Sequence, residues 1–160
     1  MKKALPIFLA VLLTVSLLAG CSGTKEFTYQ ELTMDVPFGM IDVSGDENVA
    51  AYSFALDSRK TAVFGLREEK ALFADAGITS LDQYAELLLS VNELDTLVVD
   101  RSNYPYKYLR YEKQLDDGIY KYLTAVFESE DAYWMIQYAA RITDYDETAY
   151  FKYLDTVRFS

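Results

Sequence analysis

From Tyr133 to Ile142 the chain alternates with a period of two. Trp134, Ile136, Tyr138, Ala140 and Ile142 fall on one side, and polar or smaller residues fall on the other. Successive side chains on an extended strand point to opposite faces, so this run predicts a strand with one face in the core. A strand needs partners for its backbone groups, and similar stretches precede it in the sequence. Residues 119–127 precede it across the tight acidic connection Glu128-Ser129-Glu130-Asp131. Residues 106–113 come before that, across a turn at Asp116-Asp117-Gly118, and residues 96–101 carry the β-branched pair Val98-Val99. Further upstream, residues 49–56 and 60–66 read as a hairpin joined by Asp57-Ser58-Arg59. Residues 40–43 form a short strand followed by a polar loop over 44–48. Residues 27–36 alternate in two registers, Phe27/Tyr29 and then Leu32/Met34/Val36. This predicts one half-buried strand with a bulge near Gln30-Glu31. Pro37-Phe38-Gly39 then turns the chain.

Three stretches break this pattern. Residues 67–76 read as a short helix or helical loop, with Gly77 at its C-cap. The clearest helix begins at Ser80, where Ser80-Leu81-Asp82-Gln83 has capping-box spacing. Leu81, Tyr84, Ala85, Leu88 and Val91 recur at helical spacing as one apolar stripe, and the helix should end near Asn92. A last helix starts at Asp146, an acceptable N-cap, and runs through Phe151 and Leu154 before Val157-Arg158-Phe159 closes the chain. The expectation is one α+β domain with an antiparallel sheet of about six or seven strands packed against helices. No internal repeat or low-complexity segment appears.

The first 20 residues stand apart. Lys2 and Lys3 are followed by an apolar run over 5–18, interrupted only by Thr14 and Ser16, and then by the small residues Ala19 and Gly20. This is the three-part plan of a secretory signal. The run is shorter than the ~20 residues that usually cross a bilayer. Leu18-Ala19-Gly20-Cys21 resembles the lipobox of bacterial lipoprotein precursors. In that family the cysteine sulfur takes a diacylglycerol, and cleavage leaves the cysteine as the first mature residue. The resemblance implies a signal peptide over 1–20, a lipid-anchored tether over 21–26 and a domain over 27–160. Two acyl chains, at ~0.8 kcal/mol per buried methylene, hold a protein stably on a membrane. The competing reading is an uncleaved membrane helix over 4–20. Both place the domain on the extracytoplasmic face of the cell membrane. Ser22 follows the cysteine, so in a cell with two membranes the resemblance implies the outer one. The residues from Ser22 to Glu26 reach at most roughly 15–20 Å, which keeps the domain close to its anchor.

Charge and composition narrow the partners. Loss of the leader removes Lys2 and Lys3 and takes the formal charge from −10 to −12. Such a surface repels nucleic acid and anionic headgroups alike. A charged partner is expected to be a basic protein face, a basic peptide or a cation, set against plain solubility as the competing explanation. The chain has no histidine, and Cys21 is its one cysteine. That excludes the usual transition-metal sites, the Ser-His-Asp and Cys-His arrangements, and any intrachain disulfide. No Gly-rich phosphate loop occurs. The expectation is a protein that is not an enzyme and takes no cofactor.

Tyrosine is unusually frequent, with 14 in the chain. Tyr104, Tyr106 and Tyr108 share one strand face, and Tyr120 and Tyr122 lie on another strand. These five are a candidate binding surface for peptide or sugar; the alternative is that their rings fill the core edge with hydroxyls toward water. Asp144, Asp146 and Glu147 resemble part of a calcium loop. Their spacing is wrong and no glycine follows, so they read as a strand exit and a helix N-cap. Glu128, Glu130 and Asp131 read as a solvated turn. No carboxylate pair is singled out for glycosidic chemistry.

The order of elements resembles the PsbP-like family. The residues that carry the likeness are Val36-Pro37-Phe38-Gly39, the helix start Ser80-Leu81-Asp82-Gln83-Tyr84-Ala85, and the closing Phe151, Tyr153, Leu154, Val157 and Phe159. Met40 stands where the family often carries tryptophan. That family includes an extrinsic photosystem protein, a Ran-binding import factor and many bacterial lipoproteins. The resemblance implies an α/β/α sandwich and a role in binding other proteins, with no catalytic residue to carry over. The expected function is a membrane-anchored, non-catalytic accessory or protein-binding module that docks an envelope protein. The alternative is a small-ligand or cation receptor in the envelope. A hydrolase would need two convergent carboxylates in a cleft.

Overall fold

A computed structural model describes residues 23–160 of the chain. The leader and Cys21, with the expected cleavage and lipidation, lie outside the described residues. Ten strands occur among them: β1 (Thr24–Tyr29), β2 (Leu32–Pro37), β3 (Ile41–Asp42), β4 (Phe54–Asp57), β5 (Thr61–Glu69), β6 (Val99–Asp100), β7 (Lys107–Leu115), β8 (Gly118–Glu128), β9 (Ala132–Arg141) and β10 (Arg158–Phe159). The helices are α1 (Ala71–Ala74), α2 (Leu81–Val91) and α3 (Glu147–Leu154). None of the described helices is long and apolar enough to cross a membrane.

The strands form two antiparallel sheets. Seven make a central sheet in the order β3-β4-β5-β9-β8-β7-β6, and β1-β2-β10 make a small one. Helix α2 packs on one face of the central sheet, and the small sheet with α3 packs on the other. The α+β class and the seven-stranded antiparallel sheet between covering elements are as expected. The small sheet, sharing one layer with α3, was not.

Strand β9 lies between β5 and β8 and is buried from Ala132 to Ala140 without a break. Trp134, Ile136, Tyr138 and Ala140 face the small sheet and α3, while Tyr133 and Met135 face α2. The alternation therefore separates two cores, where one core and one solvent face were expected. Ile142 lies past the strand end and is exposed.

The first expected strand is two strands. Gln30 adopts a left-handed φ of 51°, and Gln30-Glu31 turn the chain so that β1 pairs back on β2. What reads as a bulge between two registers is a hairpin turn. Residues 24–26, expected in the tether, belong to β1 and pair with β2 from Thr24↔Pro37 onward. Strand β5 runs on to Glu69 against β9, so α1 is confined to Ala71–Ala74. Gly77 follows it with φ 75° and donates to the Ala74 carbonyl. Strand β4 begins at Phe54 because Glu47–Val49 form a 3-10 turn first. Strand β6 keeps only two of the expected residues.

Helix α2 starts as its cap predicts, with Ser80 Oγ accepting from the Gln83 N–H at 3.3 Å. The Gln83 side chain accepts from the Thr79 N–H at 2.8 Å, one residue before the reciprocal donor of a standard box. Tyr84, Ala85 and Leu88 are buried, but Val91 is exposed. In α3, Asp146 caps the helix by accepting from the Ala149 N–H at 3.0 Å.

Candidate binding groove beside helix α2

Helix α2 covers only part of its sheet face. Beside it lies a cavity of about 520 Å³, walled by Leu87, Leu88 and Val91 of α2 and by Tyr52 from the loop before β4. Its floor is the central sheet: Leu66 of β5, Met135 and Gln137 of β9, Tyr122 and Thr124 of β8, and Tyr111 of β7. Cross-strand register brings these together, since Gln137 lies opposite Thr124 and Tyr122 lies opposite Tyr111. Residues directly opposite on paired strands share a face.

The floor holds a small polar network. The buried Gln137 amide donates to Thr124 Oγ1 at 2.9 Å and to the Tyr111 hydroxyl at 2.6 Å. The Tyr111 and Tyr122 rings stack at 4.8 Å and 6°. Tyr52 stacks on Phe64 at 4.7 Å. The Lys113 ammonium sits 5.4 Å over the Tyr111 ring. Burial pushes the Tyr111 hydroxyl up to about 12, and burial also raises Tyr122. Both phenols are therefore neutral near pH 7 and offer hydrogen bonds rather than a basic oxygen. Tyr84 of α2, fully buried, donates to Glu68 of the groove lining at 2.6 Å, and burial followed by that bond raises its pKa as well. The groove combines apolar walls with amide and phenol groups at its base. It suits an apolar body carrying one or two polar groups.

The five expected tyrosines do not form one surface. Tyr106 and Tyr108 point toward the small sheet and α3. Tyr106 is buried with its hydroxyl on Asp155 at 2.6 Å, and Tyr108 packs edge-on against Phe151 at 4.8 Å. Tyr104 is exposed beside Arg101. Tyr120 and Tyr122 point the other way, with Tyr120 hydrogen-bonded to Asp117 at 3.0 Å. Of the five, Tyr122 alone lines the groove. Sequence reasoning missed Tyr52, Tyr111 and Gln137. Tyr111 is out of phase with Tyr108 on the same strand, and that was the one available signal. Gln137 gave none, because its neighbours come from strand pairing.

The acidic candidates are dispersed among separate partners. Asp144 pairs with Lys60 at 3.1 Å, Asp146 caps α3, and Glu147 pairs with Arg110 at 2.9 Å. Glu128 pairs with Lys70 at 2.8 Å and Asp131 with Arg67 at 3.0 Å. Among the described residues, no three carboxylates converge as a cation-ligand set.

Two polar clusters tie the covering layer to the central sheet. Glu31, in the turn between β1 and β2, accepts from Arg67 Nε at 2.8 Å and from Trp134 Nε1 at 3.1 Å. Arg101 grips Asp155 through Nε at 3.1 Å and Nη2 at 2.6 Å, and its guanidinium lies 4.2 Å over the Phe151 ring. Burial pushes the Asp155 carboxyl up, but hydrogen bonds from Arg101 and Tyr106 outweigh it and hold the group below the usual carboxylate range. Glu31 is likewise lowered, the bonds from Arg67 and Trp134 overcoming its burial.

No family model and no curated protein matches the chain. Solved structures share its architecture. The solution structure of a cyanobacterial PsbP protein (CyanoP) from Synechocystis is 13% identical over 88% of this chain and 95% of its own, with a TM-score of 0.61. A crystal structure of a protein from Bacteroides thetaiotaomicron is 12% identical over 85% of this chain, with a TM-score of 0.58. This chain spans 48% of that second protein. At such identities the likeness concerns the fold, which is PsbP-like.

Proposed function

We propose that this chain is a membrane-anchored extracytoplasmic lipoprotein whose PsbP-like domain is a non-catalytic binding module. On this reading, Cys21 carries the lipid, and the groove beside α2 takes an apolar segment of another envelope protein. The single observation that carries the binding role is the groove itself. Its volume of about 520 Å³ is lined by Tyr52, Tyr111, Tyr122, Leu66, Met135 and Val91, apolar walls around a few convergent polar groups, as binding pockets combine them. Glu86, Glu93 and Asp95 line a shallow depression shared with Leu94 at the end of α2. An apolar segment flanked by cations therefore complements floor and rim together.

Photo-crosslinking in intact cells tests this. A crosslinking residue at Val91 or Tyr122 should capture one reproducible protein, and one at Lys152 on the outer side of α3 should not. Equal capture at all three positions would refute the assignment. A second reading is a small-molecule receptor, favoured by the buried Gln137-Thr124-Tyr111 network at the floor. A small amphiphile that raises the thermal midpoint of the purified protein, with the effect abolished by Met135→Trp, would favour this reading over a protein partner.

A further inference from the structure

Near one end of the central sheet lie Gly23, which precedes β1, and a row of exposed apolar side chains. Gly23 accepts a hydrogen bond from the Phe38 N–H at 2.9 Å. Phe38 is 67% exposed, and Ile41, at the start of β3, is 62% exposed. Ile41 pairs with Asp57, so it lies at the sheet end where Ser58, Arg59 and Lys60 connect β4 to β5. In an antiparallel sheet the same end receives the finish of β7, the start of β8 and the finish of β9. There Leu115, Ile119 and Ile142 are 42%, 41% and 45% exposed. Ile142 donates its N–H to the Ile119 carbonyl at 3.0 Å, and Leu115 shares a surface depression with Arg59 and Arg141. From β3 to β7 the row crosses five strand spacings, roughly 24 Å.

The opposite end has its own charged and apolar groups, with Leu72 exposed in α1. It carries the acidic connection between β8 and β9, with Glu128, Glu130 and Asp131, and the finish of β5 at Glu69. Charge does not separate the ends, since Asp57, Arg59, Asp116, Asp117 and Arg141 interrupt the rim; what marks the rim is its row of exposed apolar side chains beside Gly23.

We propose that the rim Phe38, Ile41, Leu115, Ile119 and Ile142 rests in the membrane interface, so that the domain stands on this sheet end with the β8–β9 connection outward. This rests on the lipid-anchor reading. The occupant follows from chain geometry. β1 begins at Thr24, so Ser22 and Gly23 alone separate it from Cys21. At up to ~3.6 Å per residue, that keeps the backbone of Cys21, from whose sulfur the lipid hangs, within roughly 7 Å of Gly23. Phe38 is hydrogen-bonded to Gly23 and cannot be far from the acyl chains. Large apolar side chains at a membrane interface bury about 5–10 Å into the headgroup and acyl boundary. The anchor supplies the membrane binding; the rim supplies the orientation. The groove beside α2 then opens sideways, parallel to the bilayer.

The test uses the mature chain on phosphatidylcholine vesicles containing brominated acyl chains, which quench tryptophan by contact. Phe38→Trp, Ile119→Trp and, as a control in α1, Leu72→Trp are compared on the unchanged background of buried Trp134. Two preparations are used: the protein lipidated by cells, and the protein coupled through Cys21 to a maleimide lipid. Quenching about twofold stronger at Phe38→Trp and Ile119→Trp than at Leu72→Trp in the coupled form supports the rim, since only interfacial side chains reach the acyl bromines. Equal quenching at all three overturns it, because a freely pivoting domain has no membrane-facing end. Quenching at Phe38→Trp alone also overturns it, because closeness to the anchor explains that result without a rim. Unquenched tryptophans on vesicle-bound protein overturn it in favour of a second copy or a protein covering the rim. An unmodified Cys21 in the cell-made protein would sink the anchor reading separately, because the chemically coupled form tests the rim without it.

Discussion

Replacing Gly65 with alanine should destabilise the domain sharply, although it adds one methyl group. Gly65 on β5 lies directly opposite Phe54 on β4, and the Phe54 ring lies across it. A Cβ at Gly65 would stand 1.9 Å from Phe54 Cε1 and 2.2 Å from Cζ. Carbon atoms settle at about 3.5–4.0 Å, so the ring would have to retreat by roughly 1.6 Å. It has no room to do so. Phe54 is fully buried, with Phe27 at 4.8 Å on one side and Tyr29 at 5.7 Å on another. Overpacking a closed site costs about 1–3 kcal/mol, and a boxed ring puts this case near 3. At about 2–4 °C per kcal/mol, the melting midpoint should fall by roughly 6–12 °C. Urea titration of purified Gly65→Ala, followed by far-UV circular dichroism, gives the free energy directly. Phe54→Leu removes Cε1 and Cζ, so Gly65→Ala combined with Phe54→Leu should be less destabilised than the two singles summed, by about 1 kcal/mol or more. A Gly65→Ala variant within about 0.5 kcal/mol of the parent, or strict additivity in the double variant, would refute the reasoning.

Other expectations follow from the same core and its clamps. The Tyr138 hydroxyl is buried and finds no hydrogen-bond partner among the described residues, so Tyr138→Phe should be neutral or up to about 1 kcal/mol more stable in urea. Asp155→Asn weakens the grip of Arg101 and should cost about 1.5–3 kcal/mol by the same measurement. Because Asp155 and Glu31 are held below their ordinary range, the stability they contribute is present above about pH 4 and is lost as pH falls through their lower folded values. A urea midpoint measured from about pH 7 down to about pH 2 should show this acid limb, and Asp155→Asn should flatten it. Burial raises Tyr111 to about 12, so the folded state resists ionising that group. Stability should therefore decline above about pH 10, where the unfolded chain loses the proton first, and Tyr111→Phe should lessen the decline. Met135→Trp should fill the groove and abolish partner capture while leaving the fold intact by circular dichroism.

Much of the architecture was legible because it depends on local rules. The Ser80 cap, the stripe through Tyr84, Ala85 and Leu88, the turn at Asp116-Asp117 and the Asp146 cap each involve residues within one or two helical turns or a single hairpin. The errors arose where one pattern has two physical meanings. A change of register at Gln30-Glu31 is produced equally by a bulge and by a hairpin turn. Arg67 and Glu68 have good helix propensity, yet pairing with Trp134 and Tyr133 keeps them in β5. Tertiary pairing overrides propensity there.

The candidate site was far less legible. Tyrosine abundance pointed to binding, but the grouping of Tyr104, Tyr106 and Tyr108 with Tyr120 and Tyr122 ignored which face each strand turns toward α2. A strand alternation assigns residues to two sides; it does not say which side the partner strand will match, nor what lies above it. By itself, the amino-acid order determined most of the strands, the caps and the acidic composition, because these follow from side-chain chemistry and short-range backbone geometry. Only the folded chain decided that Tyr111, Tyr122 and Gln137 share a floor, that β9 is covered on both faces, and that Phe38 and Ile142 end up at the same end of the sheet as Gly23. Those outcomes depend on contacts between residues far apart along the chain, and they are fixed by register and layer packing.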